Sequence, residues 1–287
     1  MSDALPHPIT GQLFSSPVPP GTGWPDDPAT SSTTTALDAE AVVTLAASRE
    51  GLPGLDAAVS VCRACPRLVA WREQVAVDKR ASFATEPYWG RPIPGWGSDR
   101  PSVLIVGLAP AANGGNRTGR IFTGDRSGDW LFGSLNRVGL ATRPTSVHAG
   151  DGQALIATRL VAAVRCVPPA NKPTTVERDT CAPWFDAELT LVMPTVRAVV
   201  CLGSFGWLVT WSALTRLGYA VPKPRPKFGH GVRVDLPGRG SARVDGAVRV
   251  LGCFHPSQQN TFTGKLTEPM LDEVLAQAAA VADLATG

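Results

Sequence analysis

Residues Val103 to Asp129 read VLIVGLAPAANGGNRTGRIFTGDRSGD. The first four, Val103-Leu104-Ile105-Val106, are apolar and mostly β-branched, as in a strand buried on both faces of a parallel sheet. Gly107 breaks the run, and a glycine-rich loop follows. Ser127-Gly128-Asp129 then leads into Trp130, Leu131, Phe132, Leu135 and Val138, which have helical spacing. Ser127 or Asp129 can cap that helix and Gly139 can end it. Strand, glycine loop, helix is how an open α/β sheet builds a ligand site at the carboxyl end of a strand. The loop contains neither G-x-G-x-x-G nor G-x-x-x-x-G-K-[ST], so neither nucleotide fingerprint accounts for it.

Downstream the alternation continues. Ala154 to Val164 predicts a second strand, followed by the rigid loop Pro168-Pro169-Ala170-Asn171-Lys172-Pro173. Thr174 and Glu177 form a capping box for a helix to about Val192, with Cys181, Trp184, Phe185, Leu189 and Val192 on its inner face. Val196 to Leu202 predicts a third strand, and Gly203-Ser204 opens a helix carrying Phe205, Leu208, Val209 and Leu214. Residues 217–246 read as a basic loop with Lys223, Arg225, Lys227, His230 and Arg233. Val248 to Phe254 is the fourth strand and delivers His255 at its carboxyl end; Thr267 to Leu284 is the last helix. The pattern predicts an α/β fold, a three-layer α/β/α sandwich around a short four-stranded parallel sheet. Its strand ends bring Gly107–Asp125, Asn171 and His255 to one rim.

Upstream, residues 1–36 are rich in Pro, Gly, Ser and Thr and are expected to be disordered, leaving residues 37–287 as a single domain. Leu37 to Ala47 predicts a short helix, Pro66 opens another that carries Leu68, Val69, Trp71 and Val75, and Tyr88 to Arg100 reads as a loop. There is no internal repeat, no apolar run of membrane-spanning length and no secretory leader pattern, so the cytoplasm is the expected compartment. Net charge is only +3, but residues 1–60 hold seven acids and one base, leaving 26 bases and 17 acids beyond them. A basic body suits a polyanionic partner.

Cys62-Arg63-Ala64-Cys65 reads as a metal or redox site rather than a structural disulfide. A redox dithiol would leave Cys166 and Cys181 unused; zinc or a [4Fe–4S] cluster would use all four thiolates. Cys201 and Cys253 lie in strand-like runs and read as buried apolar residues.

The loop words are specific. Gly107-Leu108-Ala109-Pro110-Ala111, Gly114-Gly115-Asn116-Arg117-Thr118-Gly119-Arg120 and Phe122-Thr123-Gly124-Asp125 resemble motif A of the family 5 uracil-DNA glycosylases. His255-Pro256-Ser257-Gln258-Gln259-Asn260-Thr261 resembles their motif B, and the resemblance runs from about Val61 to the C-terminus. It implies a monofunctional enzyme of base excision repair, a monomer acting on DNA in the cytoplasm at the nucleoid. Such an enzyme hydrolyses the N-glycosidic bond of uracil, and of other deaminated bases such as hypoxanthine, after flipping the base out. It also implies a structural [4Fe–4S] cluster on Cys62, Cys65, Cys166 and Cys181.

Within that resemblance, Phe122 is the stacking platform for the base and Asn171 the reader of its edge. His255 donates a hydrogen bond to the departing base, where negative charge develops. Motif A has Ala109 at its third position, where related glycosylases outside family 5 carry a polar residue that helps water; the family 5 resemblance implies Asp125 for the water instead. The competing reading of Asp125 is a helix cap. Gly107, Leu108, Ala109, Pro110 and Ala111 let the nucleotide approach closely, and Asn113 belongs to the pocket wall. Ser257, Gln258, Asn260 and Lys265, with the Lys223–Lys227 run, are candidate phosphate or groove contacts. The alternative to an enzyme is a catalytically weak iron–sulfur module of the same fold that binds nucleic acid.

Overall fold

The computed structural model describes residues 4–48, 51–237 and 247–282. The strands are β1 (Leu5–Pro6), β2 (Leu13–Phe14), β3 (Trp96–Gly97), β4 (Val103–Gly107), β5 (Thr158–Ala162), β6 (Ala198–Leu202), β7 (Arg233–Leu236) and β8 (Val248–Cys253). The helices are α1 (Ala39–Ala47), α2 (Gly51–Ser60), α3 (Pro66–Asp78), α4 (Gly115–Thr118), α5 (Arg126–Arg137), α6 (Thr175–Val192), α7 (Gly203–Arg216), α8 (Gln258–Phe262) and α9 (Glu268–Val281). Single 3₁₀ turns cover Ala81–Phe83 and Pro169–Asn171.

The main sheet has the order β3-β5-β4-β6-β8-β7. Its four inner strands, β5, β4, β6 and β8, are parallel and correspond to the four expected. Two antiparallel edge strands enlarge it to six: β3 pairs with β5, and β7 with β8. The expected loop Tyr88–Arg100 hides β3, and the expected basic loop 217–246 hides β7; part of that loop, 238–246, lies outside the described residues. Neither edge strand has the long apolar run of a doubly covered strand, because each lies at a margin of the sheet.

The inner strands are buried on both faces, and alternate residues enter different cores. Val103, Ile105, Leu160, Val200 and Leu251 face one core, which α5 and α9 cover with Leu131, Phe132, Leu135, Leu271 and Leu275. Leu104, Val106, Val161, Val199 and Val250 face the other, which α1, α2, α6 and α7 cover with Val42, Leu55, Trp184, Phe185 and Trp211. The expected α/β/α sandwich is thus present, with its sheet widened. The capping box of α6 forms as expected: Thr174 Oγ1 accepts from Glu177 N, and the Glu177 carboxylate accepts from Thr174 N.

The N-terminal segment differs from expectation. Residues 4–36 are laid against the body, with Phe14, Val18 and Trp24 buried in the same core as Ile105 and Phe132. Val18 N donates to Trp89 O at 3.0 Å, Arg91 pairs with Asp27 at 2.6 Å, and the His7 ring meets that of His148 at a 4.3 Å centroid distance. The segment is polar on average, but Phe14, Val18 and Trp24 reach the core while Ile9 and Leu13 stay exposed, and its prolines lower the entropy of the unfolded chain. Residues 1–3 lie outside the described residues.

Candidate active site

An open cleft of about 520 Å³ lies at the carboxyl rim of the sheet. Its walls include Leu108, Ala109 and Ala111 after β4, Asn171 in the loop after β5, His255 after β8, and Asp125 at the head of α5. Four separate chain segments build these walls, and three of them bring the expected catalytic residues Asp125, Asn171 and His255 to one place. Ser257, Gln258 and Gln259 from α8 and its approach, with Arg126 and Ser127, complete the wall.

Asp125 is the N-cap of α5, in place of Ser127 or Asp129; its Oδ1 accepts from Gly128 N at 2.9 Å. The other oxygen, Oδ2, lies against Gly114, where an added Cβ would overlap it. One oxygen caps and the other faces the loop, so the two readings of this residue are compatible. Burial pushes the Asp125 carboxyl above the usual carboxylate range; the N–H groups of Gly128 and Ser127 and the charge of Arg117 pull it back.

His255 is partly buried, with its Cβ side near Gly203. Burial lowers its imidazole to about 4, so the ring is neutral at neutral pH and carries one N–H. Asn260 Nδ2 donates to His255 O at 2.8 Å, which fixes the turn behind the histidine; this is the contact that Asn260 makes, not one into the cleft. Asn171 is exposed and stands at φ 55°, next to Ala170 at φ 51°. Two successive left-handed residues store backbone strain beside the cleft. Arg67 supports the loop from α3, with Nη2 donating to Lys172 O at 3.3 Å and a paired contact to Glu177.

Phe122 is only 6% exposed. Its ring lies 5.8 Å from that of His255 and presses on Gly107, where an added Cβ would stand 2.8 Å from its Cζ. The ring therefore lies beside His255 without lining the cleft itself, and Gly107 is required by the phenylalanine as much as by any ligand. Asn113 is turned elsewhere: its Oδ1 accepts from the Tyr88 hydroxyl at 3.0 Å. Pro110 packs on Gly115, and exposed Lys265 stands over the Phe254 ring at 4.8 Å. Within the Lys223–Lys227 run, Arg225 lines a different groove between α6 and α7, with Arg178 and Arg216. Residues missed in the sequence are Arg126, an exposed cation stacked on exposed Phe262 at 4.9 Å, and Arg117 beneath the loop. The only sequence signal for Arg117 is its place in motif A, and for Arg126 its place directly after that motif.

Cys62, Cys65, Cys166 and Cys181 line one further cavity, with apolar walls from Leu68, Val164 and Trp184. Burial raises the Cys62, Cys65 and Cys181 thiols, Cys65 to about 12. Arg72, itself buried, donates from Nη1 to Cys166 Sγ at 3.0 Å and to Cys62 O at 3.0 Å. Among the described residues no group of three or more His, Cys, Asp or Glu side chains converges closely enough for a single metal ion. Cys201 and Cys253 are fully buried within the sheet, as expected of apolar residues. Among the described residues no helix is long and apolar enough to cross a membrane.

The profile of the uracil DNA glycosylase superfamily matches residues 94–279, which contain every cleft residue named above. A type-5 uracil-DNA glycosylase of Mycobacterium bovis is 55% identical over 278 residues, 97% of this chain and 99% of its own. Type-5 uracil-DNA glycosylases of Thermus thermophilus and Pyrobaculum aerophilum are 46% and 43% identical, over 79% and 76% of this chain and 96% and 88% of theirs. With motif A at the end of β4, motif B after β8 and this similarity over the whole fold, the chain belongs to the uracil-DNA glycosylase superfamily, among its type-5 members.

Proposed function

We propose that the cleft hydrolyses the N-glycosidic bond of uracil in DNA and leaves an abasic site. The observation that carries this reading is the convergence of Asp125, Asn171 and His255 on one open cleft. The bond joins C1′ to a ring nitrogen, and its cleavage passes through an oxocarbenium-like state. The leaving base gathers negative charge on a carbonyl oxygen. A neutral imidazole, His255, can donate its N–H there without giving up a proton. Asp125 Oδ2, free of the cap, orients or deprotonates the water that attacks C1′. Asn171 presents donor and acceptor to the base edge, and the Phe122 ring is the platform the base lies against. A base within the stack cannot reach these groups, so the nucleotide is flipped out.

The reaction has room for larger bases. Ala109 and Ala111 add little bulk to the cleft wall, and a deaminated purine presents a carbonyl beside a ring N–H as uracil does. We therefore extend the substrate class to hypoxanthine. Arg126, Phe262 and Lys265 would face the duplex around the lesion, and a monomer at the nucleoid suffices for the work.

The four cysteines fit a [4Fe–4S] cluster: four thiols, apolar walls and a guanidinium aimed at sulfur make a site for an anionic polynuclear group. When bound, the cluster supplies four bonds that tie α3, the segment after β5 and α6 together. Hydrolysis moves no electrons, so its role is structural.

The test is single-turnover cleavage of uracil-containing and hypoxanthine-containing duplexes, followed by alkali to cut the abasic product. Both should react. No release of uracil would overturn the proposal, and uracil release alone would restrict it to pyrimidines.

A further inference from the structure

Arg117 sits in α4 beneath the motif A loop and is buried. Its guanidinium makes four contacts. Nε donates to Asn113 O at 2.9 Å, Nη2 donates to Gly124 O at 2.8 Å, and Nη1 pairs with Glu86 at 2.5 Å. Its plane rests on the Phe83 ring at 3.9 Å. The two carbonyls belong to the residues immediately before Gly114 and immediately before Asp125, the pair that brings Asp125 Oδ2 up against the loop, where a Cβ on Gly114 would overlap it.

We propose that Arg117 is a positioning residue: it clamps the two ends of the 113–124 loop together and thereby holds Asp125 Oδ2 at the cleft. The inference rests on the reading that Asp125 serves the attacking water. The loop is held against strain, because Phe122 stands in the left-handed region at φ 52° three residues before Asp125, a conformation a bulky residue keeps only when its surroundings enforce it. The cap to Gly128 fixes Oδ1 relative to α5 but says nothing about where the Gly114 wall stands. Arg117 supplies that second reference. A lysine cannot replace it, since one ammonium on a flexible stem lacks the planar fork that spans two carbonyls. Gly124 is matched to the clamp, for an added Cβ would collide with Arg117 Nη2. Burying a guanidinium costs stability unless paired, and its retention here is explained by the geometry it enforces. Its charge also favours the ionised form of Asp125, against burial and against Asp129 on the same helix; Arg126 and His255 line the same cleft, and Glu86 stands behind the clamp.

The test uses the full-length protein with its metal content measured. Single-turnover uracil excision, affinity for an abasic duplex and Tm are compared for Arg117→Lys, Arg117→Met, Asp125→Asn and the Asp125→Asn/Arg117→Lys double variant. Arg117→Lys should slow excision by about 10-fold or more with abasic-DNA affinity within about 2-fold of wild type. In the Asp125→Asn background the same change should cost nothing further. Arg117→Met should also move the acid limb of the pH–rate profile upward, because the cation that favours the carboxylate is gone. Additive losses in the double variant, or an unmoved acid limb, overturn the clamp while leaving Asp125 in place. A wild-type rate for Asp125→Asn overturns the reading beneath it, and the clamp with it. Should the Arg117 variants fold poorly, Glu86→Gln loosens the guanidinium from the partly exposed side. It should show the same non-additivity with Asp125→Asn, and additivity there overturns the proposal.

Discussion

Asp125 divides its work between its two oxygens, and that division makes its role separable by mutation. Asn caps a helix about as well as Asp, so Asp125→Asn should keep the bond to Gly128 N and leave Tm within about 3 °C of wild type. It loses the charge facing the cleft, and the single-turnover rate should fall by about 10²–10⁴-fold. A rate near wild type would reduce Asp125 to a cap. The raised carboxyl has a further consequence with a definite sign. The ionised form is the active one, so the rate should fall as pH drops through a value above the usual carboxylate range. His255, lowered to about 4, stays neutral through most of that range. His255→Ala should cost about 10²–10³-fold in rate and much less in abasic-DNA affinity, because the charge it meets develops on the leaving base. Equal losses in both would make it a binding residue. Asp125, Asn171 and His255 were legible as single letters because they follow strand ends in recognisable motifs. Phe122 was harder: the sequence marks an aromatic in a loop but not that Gly107 lets its ring sink beside His255. The motif places Asn113 in the pocket wall, but its partner, the Tyr88 hydroxyl, lies 25 residues away in sequence and no local pattern announces it.

Among the elements, the N-terminal segment departs furthest from its composition. Phe14, Val18 and Trp24 are buried, and each such side chain is worth roughly 1.5–3 kcal/mol relative to exposure. Removal of residues 1–36 should therefore lower Tm by about 10 °C or more and yield protein prone to aggregate, because Trp89 and His148 lose their cover. Unchanged thermal unfolding of the truncated protein would show that the packing contributes nothing. The inner strands were readable because parallel strands covered on both faces leave continuous apolar runs. β3 and β7 were not, having short sequences shaped by one neighbour only. α2 was hidden by Pro53 and Gly54, yet Leu52, Leu55 and Val59 reach the core and tertiary burial overrides propensity.

At the scale of the whole molecule, charge and protonation set the conditions of use. The basic body beyond residue 60 should make abasic-duplex affinity fall steeply with salt, and Arg126→Ala or Lys265→Ala should each reduce the log–log slope by about 1. A flat salt response would argue against phosphate contacts. All four histidines are held low, in each case chiefly by burial: His7 to about 4, His148 to about 3, His255 to about 4, and His230 below its ordinary value. The unfolded chain takes up protons near pH 6.5 that the folded one refuses, so stability is full above that pH and declines as pH falls toward 4. Tm measured between pH 7.5 and 5 should drop, and His148→Phe should flatten the drop; a level Tm would contradict the burial. The route of the chain carries a consequence for its biosynthesis. Residues 4–36 dock on Trp89, Arg91 and His148, all made after them, α1 packs against α6, and β8 enters the sheet beside β6 only after residue 247. During translation at about 5–20 residues per second, the leading segment leaves the ribosome on the order of ten seconds before its docking surface exists. These parts cannot fold in the order they are made, and residues 4–36, polar enough on average to wait in water without a partner, are suited to that delay.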